Sequence, residues 1–411
     1  MRSKRFVAAV LLMTAAVSFA LSGCGLLSPQ WNYVLRPEPT LPADEAEVKI
    51  TAERQPIELR YGYKSLDSMA LQQAYDILDE KIRSGTGESF VVPGVGANEF
   101  LYVVEAYEDD HPEVFWLDTS SRYSYIDYGD SCEIRLRFIF EGDELEQAKN
   151  VLEQQIAAVI ASAPETATDY ELECFLNDYM ISHCDYDREA VYQHNAYGSL
   201  VRQQAVCDGY SKGFQLLCSR MGIACVTVQG TAAAFNTENG GTSDDGHMWN
   251  CVNIEGDWYH VDVTWNDGKN RIQHFCYLNL TTDEVGKSHT IFPVHSETDG
   301  TMFNVFVPEC RSLKYNYFNH DCPMIHRLDE DDEVIAALAK AAKKRSEYLD
   351  VVISLEFDYD TATKTIASDY AYSWMEAANY YNNNNPRLKP DSEYYTYKNL
   401  NILTFHLEYE S

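Results

Sequence analysis

The stretch Gly246-His247-Met248-Trp249-Asn250-Cys251-Val252-Asn253-Ile254, then Glu255-Gly256-Asp257, then Trp258-Tyr259-His260-Val261-Asp262-Val263-Thr264-Trp265, decides how the central part of this chain folds. Its two outer runs are rich in β-branched and aromatic residues, and the three residues between them are turn formers. The pattern predicts an antiparallel hairpin. Side chains alternate faces along a strand, so His247 shares a face with Trp249, Cys251 and Asn253. With Glu255 and Gly256 as the two turn residues, Trp249 lies opposite Asp262, and His247 and Asp262 become diagonal neighbours roughly 7–8 Å apart at the backbone. With Gly256 and Asp257 in the turn the shared face survives, but the two residues move two steps further apart. Both registers are open to the sequence.

Upstream, Leu172, Phe175, Leu176 and Tyr179 recur at helical spacing. After them come Asn195-Ala196-Tyr197-Gly198-Ser199-Leu200 and Ala205-Val206-Cys207-Asp208-Gly209-Tyr210. A second helix follows, with Phe214, Leu217 and Met221 on one face and Gly222 placed to end it. Cys207 therefore stands at a helix N-terminus, where unpaired amides and the positive end of the macrodipole favour a thiolate. Asp208 beside it is an opposing charge. Most cysteines pack as small hydrophobes, which is the reading for Cys218 and Cys225. Singly, His247 and Asp262 read as ordinary hydrogen-bonded strand residues. Together with Cys207 they make the set a cysteine nucleophile needs: a thiol, an imidazole to take its proton, and a carboxylate to fix the imidazole tautomer.

Taken together, Ala196-Tyr197-Gly198-Ser199-Leu200, Val206-Cys207-Asp208-Gly209-Tyr210, His247-Met248-Trp249-Asn250 and Trp258 to Trp265 closely resemble the transglutaminase-like superfamily in its bacterial secreted branch. The resemblance covers about 120 residues, with the motifs in order. It implies an α+β fold with a papain-like core, in which a helix bearing the nucleophile packs on an antiparallel sheet bearing the other two residues. Carried over by position, it implies Cys207 as nucleophile, His247 as base and later acid, and Asp262 as orienting carboxylate. No cofactor and no metal are expected. Calcium, used by some transglutaminases, has no Asp-x-Asp-x-Asp-Gly loop here. For an oxyanion donor the expectation is the Cys207 amide, with a side chain near Asn195 or Tyr197 as a second. Tyr210 and Trp265 are expected to be packing residues.

The whole chain has 411 residues, 64 acidic against 32 basic, for a formal charge of −32. That excess excludes nucleic acid as a natural partner, because phosphates are held by Lys and Arg. Arg2, Lys4 and Arg5 precede an uncharged apolar run from Val7 to Leu21, and Leu21-Ser22-Gly23-Cys24 follows. The run is short for a bilayer span and has the layout of a secretion signal. Its end resembles the lipobox of bacterial lipoproteins, which implies removal of residues 1–23 and lipid on Cys24. The expectation is an extracytoplasmic protein held to a bacterial membrane through that lipid, with the proline-bearing segment 24–56 as a stalk. No other segment reads as a membrane span. Ten further cysteines show no dense disulfide framework. Cys310 and Cys322 are the expected pair, and zinc lacks any Cys-x-x-Cys signature.

Flanking the 165–295 domain, residues 57–164 read as a small N-terminal α+β domain and residues 304–411 as a C-terminal α/β domain of alternating helix and strand. The polar stretch from Thr231 to Gly246 reads as a loop, either a gate or a solvated excursion. The tyrosine-rich C-terminal part reads as packing or as a glycan- or peptide-binding surface. Two function classes follow. One is cysteine-dependent acyl transfer or hydrolysis at amide bonds of envelope peptides or proteins, by a peptidase or a transglutaminase. The other is a non-catalytic binding lipoprotein that uses the same fold as a scaffold.

Overall fold

A computed structural model describes residues 54–58, 60–118, 121–165, 167–236, 241–268, 271–295, 302–328, 332–354, 358–391 and 393–410. The expected signal segment, Cys24 and nearly all of the expected 24–56 stalk lie outside the described residues. No helix among those described is long and apolar enough to cross a membrane.

The N-terminal part begins with helix α1 (Met69–Ser84), capped by the Ser68 side chain on Leu71 N and closed by Gly85 in the left-handed conformation. Strand β1 (Phe90–Pro93) and helix α2 (Ala97–Asp110) follow. Strands β2 (Tyr123–Asp127) and β3 (Ser131–Leu136) make a hairpin, in a sheet of order β1-β3-β2. Helix α3 (Gly142–Ser162) closes this part.

The central part begins with α4 (Asp169–His183), whose start is fixed by a capping box between Thr168 and Glu171. Helix α5 (Cys207–Arg220) begins at Cys207 itself and has no side-chain cap. Cys218 and Cys225 are fully buried, as their apolar reading requires. Strands β4 (Cys225–Asn236), β5 (Gly241–Ile254), β6 (Asp257–Val261) and β7 (His289–Ile291) form an antiparallel sheet of order β6-β5-β4-β7. Ile254 pairs with Asp257, so Glu255 and Gly256 are the turn residues, and both have the positive φ that such a tight turn needs (53° and 95°). The reading of 231–246 as a loop is corrected: β4 and β5 stay paired as far as Asn236 and Gly241. A two-stranded ribbon satisfies its own backbone groups, so polar composition alone does not end it.

The C-terminal part holds β8 (Met324–Ile325), α6 (Asp332–Lys344), β9 (Tyr348–Ile353), α7 (Tyr359–Thr365), α8 (Ala371–Tyr381), β10 (Tyr394–Tyr397) and β11 (Ile402–His406). Its sheet has the order β8-β9-β11-β10, parallel at β8/β9 and antiparallel elsewhere.

One apolar core runs from Leu66 through α5 to Val263 and Tyr315, so the N-terminal and central parts share it. Polar contacts reinforce the joint. Gln215 Nε2 donates to Asp109 O at 2.7 Å, Thr227 Oγ1 to Asp109 Oδ1 at 2.7 Å, and Lys212 Nζ lies 3.3 Å from Glu108 Oε2. A separate core belongs to the C-terminal part. A third cluster joins Val352, Leu400 and Ile402 to Ile272, Tyr277 and Leu280 of the central part.

Candidate active site

Three elements carry the three expected residues to one place. Helix α5 brings Cys207 at its first turn, β5 brings His247, and the end of β6 brings Asp262. His247 Nε2 donates to Asp262 Oδ2 at 2.6 Å. That leaves Nδ1 as the free nitrogen, and the Cys207 sulfur is near enough to raise the imidazole. Asp262 is buried and fully engaged. Its Oδ1 accepts Trp265 N at 3.0 Å as cap of a short helix, Val263–Asn266, and its own N donates to Tyr277 O at 3.0 Å.

A fourth residue, not anticipated from sequence, completes this arrangement. His289 on β7 is buried, and its Nε2 donates to Asp262 Oδ2 at 3.0 Å while its Nδ1 accepts from Ser288 Oγ at 2.8 Å. No local motif marks it; only the pairing of β7 with β4 brings it in. Trp265, expected to be a packing residue, sits with its ring centroid 4.7 Å from His289 and 5.8 Å from His247, and so walls the imidazoles. Tyr210 is structural as expected: buried, with its hydroxyl donating to Cys184 O and Asp267 Oδ2.

The electrostatics separate the charge states. Burial works against a charged His247, but the adjacent Asp262 carboxylate and the Cys207 sulfur overcome it and push the imidazole up to about 10. Burial would raise Asp262, yet His247 and His289 hold it well below the usual carboxylate range. Burial lowers His289, which stays neutral. The site thus favours an imidazolium at His247 beside the Asp262 carboxylate at neutral pH. Asp208, the opposing charge next to Cys207, is itself engaged: His194 Nδ1 lies 2.9 Å from its Oδ2, and Gly209 N donates to its Oδ1 at 3.0 Å. The hydrogen bond to Asp208 raises His194.

The Asn195 and Tyr197 side chains are not placed as oxyanion donors. Asn195 is buried, accepting Gly198 N at 3.0 Å and donating to Phe115 O at 3.4 Å, and Tyr197 stacks on Phe115 at 4.9 Å. The turn that leads into α5 needs both for its own packing. The expected Cys310–Cys322 pair is also corrected: neither is in a disulfide, and they lie apart, Cys310 against Cys251 beside the active-site sheet and Cys322 in the cluster under the C-terminal sheet. A cleft of about 470 Å³ opens over Cys207 and His247, lined also by Tyr186, Arg188, His194 and Gln229. Among the described residues, two groups bring three donors of metal-binding type together: His247, Asp262 and His289, and Cys251, His260 and Cys310. In the first, the two imidazoles already share Asp262 Oδ2 as hydrogen-bond donors.

The model of the transglutaminase-like superfamily matches residues 154–263, the segment that carries Cys207, His247 and Asp262. Residues 154–263 form a transglutaminase-like superfamily domain. This superfamily contains cysteine peptidases and transglutaminases. Kyphoscoliosis peptidase of Mus musculus is 34% identical over 97 residues, 22% of this chain and 15% of that protein. The Homo sapiens protein of the same name is 30% identical over 128 residues, 29% of this chain and 19% of that protein. The match thus spans less than a fifth of these curated relatives. A solved transglutaminase structure, "Crystal structure of a TGase", aligns over 40% of this chain and 48% of its own at 15% identity, with a TM-score of 0.26. The transglutaminase-like domain thus occupies the middle of the chain, with His289 and Cys310 just beyond its matched end.

Proposed function

We propose that this protein is a surface-anchored lipoprotein whose transglutaminase-like domain performs acyl transfer or hydrolysis at amide bonds of cell-envelope peptides or proteins. Cys207 is the nucleophile, His247 the proton shuttle and Asp262 the orienting carboxylate. The observation that carries the reading is the 2.6 Å contact between His247 and a buried Asp262, in a cleft that His247 shares with a thiol at the uncapped start of α5. Such a thiol attacks the substrate carbonyl as a thiolate, and the tetrahedral oxyanion that forms is stabilised by first-turn amides of α5. His247 passes its proton to the departing amine, leaving a thioester on Cys207. Water or a second amine, deprotonated by His247, then releases the acyl group. Lipid on Cys24 holds the domain at the outer face of a membrane, and the acidic body disfavours contact with anionic lipid.

Labelling with a thiol-directed electrophile tests the site. Cys207 is expected to react faster than free cysteine at pH 7, and His247→Ala to slow it on the order of 10²-fold. Reaction no faster than free cysteine, unchanged by His247→Ala, would point instead to a binding scaffold. Envelope peptides incubated with and without a primary amine then separate the two chemistries: free carboxylate product means hydrolysis, and amine-linked product means transfer.

A further inference from the structure

Cys251 on β5 stands directly across from His260 on β6, and its Sγ lies 3.1 Å from His260 Nδ1. Cys310 reaches the same place from the segment after β7, with its Sγ 3.8 Å from Cys251 Sγ. All three residues are buried. Their neighbours fix the imidazole tautomer. Trp249 Nε1 donates to His260 Nδ1 at 3.1 Å, so that nitrogen carries no proton, and Nε2–H faces Thr282 Oγ1 at 3.3 Å. Thr282 also holds the Cys310 backbone, with its N donating to Cys310 O at 2.9 Å and its Oγ1 accepting Cys310 N at 3.2 Å. A tetrahedral cation would need a fourth donor and the Nδ1 lone pair. The cluster has three donors among the described residues, and Trp249 already occupies that lone pair. Two touching thiols beside an unprotonated imidazole are instead the parts of a dithiol–disulfide couple.

We propose that Cys251 and Cys310 are a redox pair that closes to a disulfide by exchange with a small-molecule disulfide, fastening the 304–310 segment to the active-site sheet. Cys310 is the attacking sulfur: a hydrogen bond with Cys251 draws its thiol down to about 6 against the effect of burial, with further help from His260 and Thr282. Burial keeps Cys251 protonated. The Cys310 thiolate attacks one sulfur of the oxidant, whose S–S bond breaks, and one thiolate leaves with a proton from solvent. Cys251, its Sγ 3.1 Å from His260 Nδ1, then attacks Cys310 Sγ in the mixed disulfide. The second thiolate departs with the proton that Cys251 gives up. Two protein thiols are oxidised and one disulfide is reduced to two thiols. Because the pair is buried, the oxidant reaches it when the 304–310 segment lifts or before it docks, and the closed bond is slow to reduce in the folded protein. That segment bears on the cleft, since Asn304 accepts Gln229 N at 2.6 Å and donates to Gln229 O at 2.9 Å.

The inference goes beyond the acyl-transfer reading, and its test contains no turnover. The full chain with Cys207→Ala, which removes the competing nucleophile, is equilibrated in reduced and oxidised glutathione at a series of ratios. It is then acid-quenched, alkylated in denaturant and mapped by mass spectrometry. The expected product is a linked Cys251–Cys310 peptide pair whose fraction rises with the oxidised share. The oxidised protein is expected to melt several degrees above the reduced form, and His260→Ala to slow closure several-fold. The proposal is overturned if both cysteines stay alkylatable at the most oxidising ratio, or if either links to another cysteine instead. An equivalent of zinc or copper bound to these thiols in the purified protein would equally overturn it.

Discussion

Asp262 Oδ2 accepts two imidazoles at once, from His247 at 2.6 Å and His289 at 3.0 Å, and this sets the charge state of the site. The His247 imidazole is raised, so the stability it gains from Asp262 is complete below its unfolded value near 6.5 and is lost as pH rises through about 10. Asp262 is depressed, so its share is present above the ordinary carboxylate range and is lost only as pH falls through its lowered value. The pair is therefore charged throughout the neutral range. Asp262→Asn removes the charge that sustains the imidazolium and leaves burial to oppose it. The alkaline limb of the pH–rate profile is then expected to move to lower pH, with the rate down on the order of 10²–10⁴-fold. The check is kcat/KM between pH 5 and 11. An alkaline limb that stays in place would show that His247 does not owe its charge to Asp262.

At the scale of elements, the site depends on a close approach at Gly230. This glycine on β4 pairs with His247 of β5 on one side and Ile291 of β7 on the other. A Cβ added there would fall on the Thr290 carbonyl oxygen and into the Trp249 ring. Gly230→Ala is expected to force β7, and His289 with it, away from Asp262, costing about 1–3 kcal/mol of stability and slowing Cys207 labelling. Thermal melts and labelling rates check this, and wild-type values in both would mean the sheet edge yields without moving the imidazole. The same elements show what the sequence could and could not tell. The hairpin around Glu255-Gly256-Asp257 had a local signature but its register did not, and the pairing of Ile254 with Asp257 is what brings His247 and Asp262 together. The start of α5 at Cys207 was equally local. His289 and the Cys251–Cys310 contact were not legible, because each depends on which distant strand or segment docks at a sheet position. The extension of β4 and β5 through 231–236 and 241–246 escaped for a related reason: ladder hydrogen bonds carry it, and they are indifferent to side-chain polarity.

At the scale of the molecule, buried carboxyl groups such as Asp109 and Glu173, both raised to about 8 by burial, tie global stability to pH. Glu173 on α4 is fully buried, with Oε2 accepting Asn279 Nδ2 at 2.7 Å and Oε1 unpartnered among the described residues. Asn279 Nδ2 also donates to Tyr315 O at 3.0 Å, which ties α4 to the chain leading into the C-terminal part. Burial pushes Glu173 up to about 8, outweighing the hydrogen bond from Asn279. An acid whose folded value is raised binds its proton more tightly folded than unfolded. Its favourable contribution is complete below the unfolded value of 4.5 and is lost as pH rises through about 8. Above that pH the fold must hold an uncompensated buried charge, a penalty of roughly 3–5 kcal/mol at full ionisation. The protein is thus expected to lose thermal stability between pH 5 and 9 even though its 64 acidic side chains keep it strongly charged and soluble. Glu173→Gln keeps the shape and an acceptor for Asn279 while abolishing the titration. Its melting temperature is expected to fall much less than the wild type's over that interval, so that the variant is the more stable of the two at pH 9. Parallel melting curves from pH 5 to 9 would show the Glu173 carboxyl to be silent if the two proteins kept a constant offset.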